Sequence, residues 1–328
     1  MPKKQSLAWL CFGFVCKFTV DYYISKISST MRKKIALALS SGGARGLIHI
    51  GVIHELERRG FDIVSLSGSS MGALVGSMYV AGTLNDFKDW VTTLTRMEVL
   101  RLVDFTLGSK GFIKGERIFY EMQKRGFIPD INIEDLPKPM VILATDIVNN
   151  KEIVFRKGNL AKAIRASISI PNVFMPIQTT DGLLVDGGVL NPLPINHLIT
   201  KGSDLVGAVD TNALIFYKKP KQEEHHAGET DEERSLFEQF KEKWYEFFEG
   251  DEKKKLEKAS KLGYFDLLYR VLQVMMNNMT QKTLKETPPD FLVQTSKDAC
   301  GVYEFYRAKE LIAYGQKACT EALDKAEL

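Results

Sequence analysis

Cysteine is scarce in this chain: four in 328 residues, at positions 11, 16, 300 and 319. That is too few and too scattered for a disulfide scaffold, and no pair has the spacing of a zinc knuckle. A reducing, cytoplasmic setting is the expectation. A surplus of one charge is also missing, since 44 Lys and Arg face 41 Asp and Glu for a net +3. A protein built around nucleic acid would concentrate basic residues on one face, so no nucleic-acid partner is expected. Long apolar runs are lacking near the start as well. Residues 7–15 form an apolar stretch well short of the about 20 residues that span a bilayer.

The remaining composition, 45% hydrophobic and 26% charged, is that of a globular protein with one large domain or two ordinary ones. Residues 1–30 leave three readings open. Lys3 and Lys4 before the apolar stretch resemble a signal peptide, but no convincing small-residue cleavage site follows. Trp9, Phe12, Phe14, Phe18, Tyr22 and Tyr23 would suit an interfacial helix. Translation from Met31 is the third. Residues 31–217 read as a catalytic core, 218–261 as a charged helical insertion, and 262–328 as helices and a strand completing the same domain. Within the insertion, Phe237, Phe240, Trp244, Phe247 and Phe248 recur at helical intervals, a candidate for peripheral membrane contact.

From Ile35 onward strand-like and helix-like stretches alternate. Residues 35–39, 63–66, 140–144, 151–155, 183–185 and 205–209 read as strands, with 290–293 near the end. Helical spacing marks 47–59, 71–81, 264–279 and 307–323. Such alternation implies an α/β fold with a mostly parallel sheet covered by helices.

Three clusters at strand ends could carry chemistry. Gly68-Ser69-Ser70-Met71-Gly72 lies between a strand and a helix. The glycines two before and two after Ser70 allow the sharp turn that presents a nucleophilic oxygen at a helix N-terminus. Ser41-Gly42-Gly43-Ala44-Arg45-Gly46 follows the first strand and could turn several backbone N–H groups into one concavity. It suits an oxyanion hole. It suits a dinucleotide pyrophosphate less well, because Ser41 replaces the first glycine and no acidic residue closes the second strand. The third cluster is Asp186-Gly187-Gly188, a carboxylate at a strand end followed by a turn. In an open parallel sheet such ends converge on one edge.

A Ser-His-Asp triad would need a histidine, and none of the five fits. His225 and His226 lie in the charged insertion, and His197 reads as a residue at a helix start. His49 and His54 fall on the first helix, where His49 is read as a packed helix residue rather than a support for the glycine loop. A dyad in which Asp186 takes the proton from Ser70 fits better.

These residues, in this order and spacing, resemble the patatin-like phospholipases. The likeness includes Ala166-Ser-Ile-Ser-Ile-Pro171, Phe174-Met-Pro176 and Asn191-Pro-Leu-Pro194 and runs from about Ile35 to Asp210. It implies a three-layer α/β/α sandwich, hydrolysis of lipid acyl esters and no cofactor. Carried over by position, Ser70 is the nucleophile and Asp186 the base, and Gly42, Gly43 and Ala44 line the oxyanion hole. Arg45 and Gly46 match the supporting loop, where the guanidinium would order the loop or meet a phosphate. Ser41 departs from the glycine that many members have there. No metal is expected, because Asp186 has no neighbouring His, Cys or Glu at ligand spacing. A catalytically silent lipid- or anion-binding module and a dinucleotide-binding oxidoreductase are the alternatives.

Overall fold

A computed structural model describes residues 33–102, 116–171, 174–202, 204–218 and 264–328. The expectations for residues 1–30 and for the aromatic stripe from Phe237 to Phe248 lie outside the described residues. Strand β1 (Lys34–Leu39) leads through a 3-10 turn (Gly43–Leu47) into helix α1 (Ile48–Arg58). Strand β2 (Asp62–Ser69) runs into α2 (Met71–Ala81), followed by α3 (Leu84–Val91), α4 (Arg96–Leu102) and α5 (Glu116–Lys124). Then come β3 (Met140–Asp146), β4 (Lys151–Phe155), α6 (Leu160–Ser167), β5 (Ile177–Gln178) and β6 (Leu183–Asp186). The chain closes with β7 (Leu205–Ala213), α7 (Tyr264–Glu286), β8 (Phe291–Ser296) and α8 (Ala308–Lys325).

One sheet holds all of these strands, in the order β5-β6-β3-β2-β1-β7-β8, with β4 pairing to β3 off that path. The central pairs β2–β3, β1–β2, β1–β7 and β7–β8 are parallel. The β4 and β6 pairings to β3, and β5 to β6, are antiparallel. Side chains alternate across a strand, so β1 sends Ile35, Leu37 and Leu39 into the main core with residues of α1, α2 and α8. Ala38 points the other way, against Leu193 and Ile195 and near Leu284 of α7. Burial on both faces explains the unbroken apolar reading of β1 and defines a mixed α/β protein of three layers.

Two expectations change in detail. The helix expected over 47–59 begins as the 3-10 turn, and β2 extends past the expected 63–66 through Ser67, Gly68 and Ser69, a composition that reads as a turn. That polar stretch is accommodated by pairing across its face. The hydroxyls of Ser65, Ser67 and Ser69 donate to the carbonyls of Ile199, Pro194 and Asn191 at 2.6, 2.7 and 2.6 Å. The segment after Asp186 therefore runs back along β2, fastened at every second residue. Among the described residues, no helix is long and apolar enough to cross a membrane.

Helices α1 and α8 touch through backbone rather than side chains. A Cβ on Gly51 would stand 2.0 Å from the Ile312 carbonyl oxygen, and one on Gly315 would stand 2.2 Å from that of Ile48. Gly315→Ala should gain helix propensity of about 1 kcal/mol yet lose more by forcing the helices apart. We expect a net loss of about 1–3 kcal/mol in urea denaturation. An unchanged or raised midpoint would contradict this account of the crossing.

Candidate active site

Ser70 joins β2 to α2 with φ 54° and ψ −123°, a left-handed conformation that a side-chain-bearing residue adopts only when its surroundings enforce it. The enforcement comes from glycines. A Cβ on Gly68 would lie 2.5 Å from the backbone of Gly72 and Ala73, and one on Gly72 would lie 2.2 Å from the Leu39 carbonyl oxygen. A Cβ on Gly46 would meet Met71 at 2.2 Å, so the glycine loop seats directly on the start of α2. The Ser70 N–H donates to Ser167 Oγ at 2.9 Å. Ser70 itself is buried.

Asp186 reaches the same place by register. Ser69 pairs with Leu143 across β2–β3, and Ala144 pairs with Asp186 across β3–β6. Ser70 and Asp186 therefore stand level, two strand spacings or about 10 Å apart along the sheet. Asp186 does not sit on a parallel strand as expected. Strand β6 is antiparallel and only four residues long, so its last residue is still near the edge where β1 and β2 end. The chain then crosses over β3 toward β2. A Cβ on Gly187 would stand 2.3 Å from the Leu143 carbonyl oxygen, and one on Gly188 would stand 2.8 Å from Ser41 Oγ. The Asp186 N–H donates to the Ser169 carbonyl at 2.9 Å, and Oδ1 accepts the Gly188 N–H at 2.7 Å. Oδ2 is buried without a partner in hydrogen-bond geometry among the described residues. Burial pushes the Asp186 carboxyl up to about 7, opposed by the Ser70 hydroxyl and the Gly188 N–H.

Ser167 and Ser169 are functional neighbours that the sequence reading quoted only as part of a family motif. One steadies the Ser70 amide and the other the Asp186 amide, so the end of α6 ties both residues to one short segment. No local pattern marks serines for this task.

The glycine loop is held from the far end of the chain. The Ala44 N–H donates to the Val302 carbonyl at 2.9 Å, so this amide is committed and differs from the expected oxyanion donor. Gly43 has φ +55°, and a Cβ there would lie 2.5 Å from Val302 Cγ1. The Gly42 and Gly43 N–H groups have no hydrogen-bond partner among the described residues. Arg45 is buried and orders the loop from inside, giving 3.0 Å to the Cys300 carbonyl and 2.9 Å to Asn212 Oδ1. His49 corrects the expectation in part. It is fully buried on α1, but its Nε2 lies 2.8 Å from the Ser40 carbonyl and so donates to the end of β1. Burial lowers its pKa to about 4, leaving it neutral. His197 belongs to a 3-10 turn, with Nε2 2.6 Å from Glu152 Oε2. His225 and His226 lie outside the described residues.

Ser70 and Gly43 border an apolar cavity with about 890 Å³ of empty space, part of it open to solvent. Its walls come from α2, α3, α4 and α5, joined by Ile168, Ile170, Phe174, Val302, Tyr303 and Phe305. Apart from Ser70 and the Gly43 backbone, the lining is almost wholly apolar, built of aliphatic chains, aromatic rings and the thioethers of Met71 and Met122. Among the described residues, no three His, Cys, Asp or Glu side chains are grouped to hold a metal ion.

A parallel-centred α/β sheet with a serine on a strained strand–helix elbow, beside a buried carboxyl and over an apolar cavity, has the architecture of the elbow-type acyl hydrolases. The patatin-like phospholipase model matches residues 37–199. An uncharacterized NTE family protein of Mycobacterium tuberculosis is 33% identical over 92% of this chain and 95% of its own. The chain belongs to the patatin-like phospholipase family, a family of lipid acyl hydrolases. Lysophospholipase NTE1 of Candida glabrata is 29% identical over 55% of this chain and 10% of its own length. VipD of Legionella pneumophila superposes with a TM-score of 0.44 at 12% identity, over 90% of this chain and 67% of that one.

The buried carboxyl makes stability depend on pH. Unfolded, Asp186 ionises near its ordinary value of 3.8; folded, it keeps its proton up to about 7. Between those values the unfolded state binds fewer protons, so Asp186 lowers stability as pH rises through this window. Asp186→Asn should remove that loss. Its stability relative to the parent chain should rise from pH 4 to pH 8 by up to about 4 kcal/mol. A pH-independent difference in denaturation midpoints would show that the carboxyl is already ionised near its ordinary value.

Proposed function

We propose that this protein hydrolyses carboxylic ester bonds of lipids through Ser70 and Asp186. The observation that carries the reading is the position of Ser70, which borders a cavity lined by apolar groups and stands level with a buried carboxyl that has one oxygen unpaired. An acyl chain fills the cavity, driven by removal of apolar surface from water at about 25 cal/mol per Å². That seats its ester carbonyl carbon over the Ser70 hydroxyl. Ser70 Oγ attacks this carbon while Asp186 Oδ2 accepts the hydroxyl proton. A base that titrates near neutrality is matched to this task, because it is ionised in working conditions yet basic enough to hold the proton.

Negative charge that develops on the carbonyl oxygen is met by the free N–H groups of Gly42 and Gly43 and by the N-terminal end of α2. Asp186 then returns its proton to the leaving alcohol oxygen, and the ester bond breaks to leave an acyl-serine. Water, deprotonated by Asp186, attacks the acyl carbon; the fatty acid leaves and Ser70 recovers its proton. The apolar cavity beside Ser70 suits an acyl chain. The name lysophospholipase, carried by a relative that shares just over half of this chain, supports a phospholipid as its source.

Covalent labelling by a fluorophosphonate tests the nucleophile. Labelling should be lost in Ser70→Ala, and Asp186→Asn should cut hydrolysis of a lysophospholipid by about 10²–10⁴-fold. For the parent chain, kcat/KM should rise with pH through an apparent pKa near 7 as Asp186 ionises. Labelling that persists in Ser70→Ala, or a profile flat between pH 5 and 8, would refute the assignment.

A further inference from the structure

The end of β7 carries a pair of side chains whose hydrogen bonds bear on the direction of one loop amide. Thr211 Oγ1 donates to the Ser41 carbonyl at 2.9 Å, and Asn212 Nδ2 donates to the same oxygen at 2.6 Å. Ser40 Oγ adds a third donor at 3.0 Å, and is itself held by the Thr211 N–H at 3.0 Å. Asn212 Oδ1 meanwhile accepts from Arg45 Nη2 at 2.9 Å, so one amide side chain grips the loop at both ends of Gly42–Ala44. Its own N–H is fixed to Asp210 Oδ1 at 2.9 Å, which holds the grip to the strand.

A trans peptide is planar, with its C=O and the following N–H pointing in opposite directions. Strand β1 lies between β7 and β2 in the sheet. Pulling the Ser41 carbonyl toward β7 therefore turns the Gly42 N–H toward β2, where the Ser70 elbow begins. The approach is tight: a Cβ on Gly42 would stand 2.3 Å from Thr211 Oγ1. Both residues follow the segment that the family model matches, and β7 supplies neither nucleophile nor base.

We propose that Asn212, assisted by Thr211, is a positioning residue that aims the Gly42 N–H at the developing oxyanion. This rests on the reading of Ser70 as the nucleophile and of the glycine loop as the oxyanion hole. Asn212 touches no substrate. It acts by making the loop rigid in the one orientation where an N–H, rather than a carbonyl oxygen, faces the charge. A hole aligned before the reaction has no reorganisation cost during it, and that saving appears in kcat.

The test compares the full chain with Asn212→Asp, Asn212→Leu, Thr211→Val and Ser70→Ala. Asn212→Asp keeps the acceptor for Arg45 and loses the donor to Ser41. For a p-nitrophenyl ester, kcat of Asn212→Asp and Asn212→Leu should fall about 10- to 100-fold with KM within about twofold. The inhibition constant of a trifluoromethyl ketone, which forms a tetrahedral adduct, should rise by the same factor, while affinity for decanoic acid stays unchanged. Thr211→Val, which keeps the Asn212 contact, should show a smaller loss in the same direction, and it decides the matter if the Asn212 variants do not fold. With Ser70→Ala inactive, kcat within twofold of the parent in the folded variants overturns the proposal. So does a parallel loss of fatty-acid affinity and thermal stability with kcat, which would mark a merely structural role. Hydrolysis that survives Ser70→Ala instead removes the reading beneath the proposal, and the proposal with it.

Discussion

After Asp186 the polypeptide leaves β6 and passes over the carbonyl of Leu143, at a height where even one carbon atom on residue 187 would collide. That crossing governs the arrangement around it. It carries the chain from the outer, antiparallel part of the sheet onto the edge where β1 and β2 end, and so brings Asp186 beside Ser70. It also lays Gly188 against Ser41, so the acid turn and the glycine loop share one contact. Then it feeds the chain onto β2, where three serine hydroxyls take up the carbonyls of Asn191, Pro194 and Ile199. A buried carbonyl without a donor costs about 1–3 kcal/mol, so this row of serines is what allows an irregular segment to lie on the sheet. A helix would satisfy its own carbonyls, but it could not approach β2 so closely. The approach keeps the acid turn near the elbow.

The electrostatics follow from that closeness. Asp186 is packed between strand and loop, with a single N–H on one oxygen and nothing in bonding geometry on the other. Two other carboxylates are paired with arginine: buried Glu55 is held by Arg58, Arg59 and Thr320, and half-buried Glu304 by Arg307. Asp210, by contrast, is buried with Oδ2 unpartnered among the described residues and is pushed up by burial, as Asp186 is. The hydrogen bond from Arg58 holds Glu55 at about 2, despite the opposing cost of its burial. The carboxyl group thus sits far apart on the acidity scale in one molecule: burial raises Asp186, and the Arg58 guanidinium lowers Glu55. A carboxylate kept without its partner costs stability and is proton-hungry. That is the condition a general base requires.

Much of this was legible in the residues. The elbow helix falls at 71–81 as read, because a glycine-rich turn before a run of small apolar residues has few other solutions. β1, β4 and β7 also begin within a residue of their expected places. The direction of β6 was not legible: three apolar residues and an aspartate carry no mark of parallel or antiparallel pairing, and only the partner β3 decides. The strand expected over 63–66 is shorter than β2, since Ser67, Gly68 and Ser69 have turn composition and the returning segment accepts the hydroxyls of Ser67 and Ser69. The committed Ala44 amide was hidden for a similar reason. Its acceptor, Val302, lies in the last thirty residues of the chain, and a glycine-rich loop does not disclose which of its amides are already taken. His49 was half seen, as a packed residue whose second task depends on where the Ser40 carbonyl points.

Ser70 and Asp186, the proposed nucleophile and base, and the glycine loop all lie within residues 37–199, the span matched by the family model. Yet the loop is fastened by Thr211, Asn212 and the carbonyls of Cys300 and Val302, and the cavity wall is completed by Val302, Tyr303 and Phe305. Strand β8 and helix α8 are what place that second group: β8 pairs with β7, and α8 crosses α1 through Gly51 and Gly315. Chemistry and support are thus divided along the sequence but joined in the sheet. A six-residue glycine-rich loop is too short to build its own scaffold. Its rigidity is borrowed from the segments that follow it, and Val302, Tyr303 and Phe305 between β8 and α8 also complete the apolar cavity.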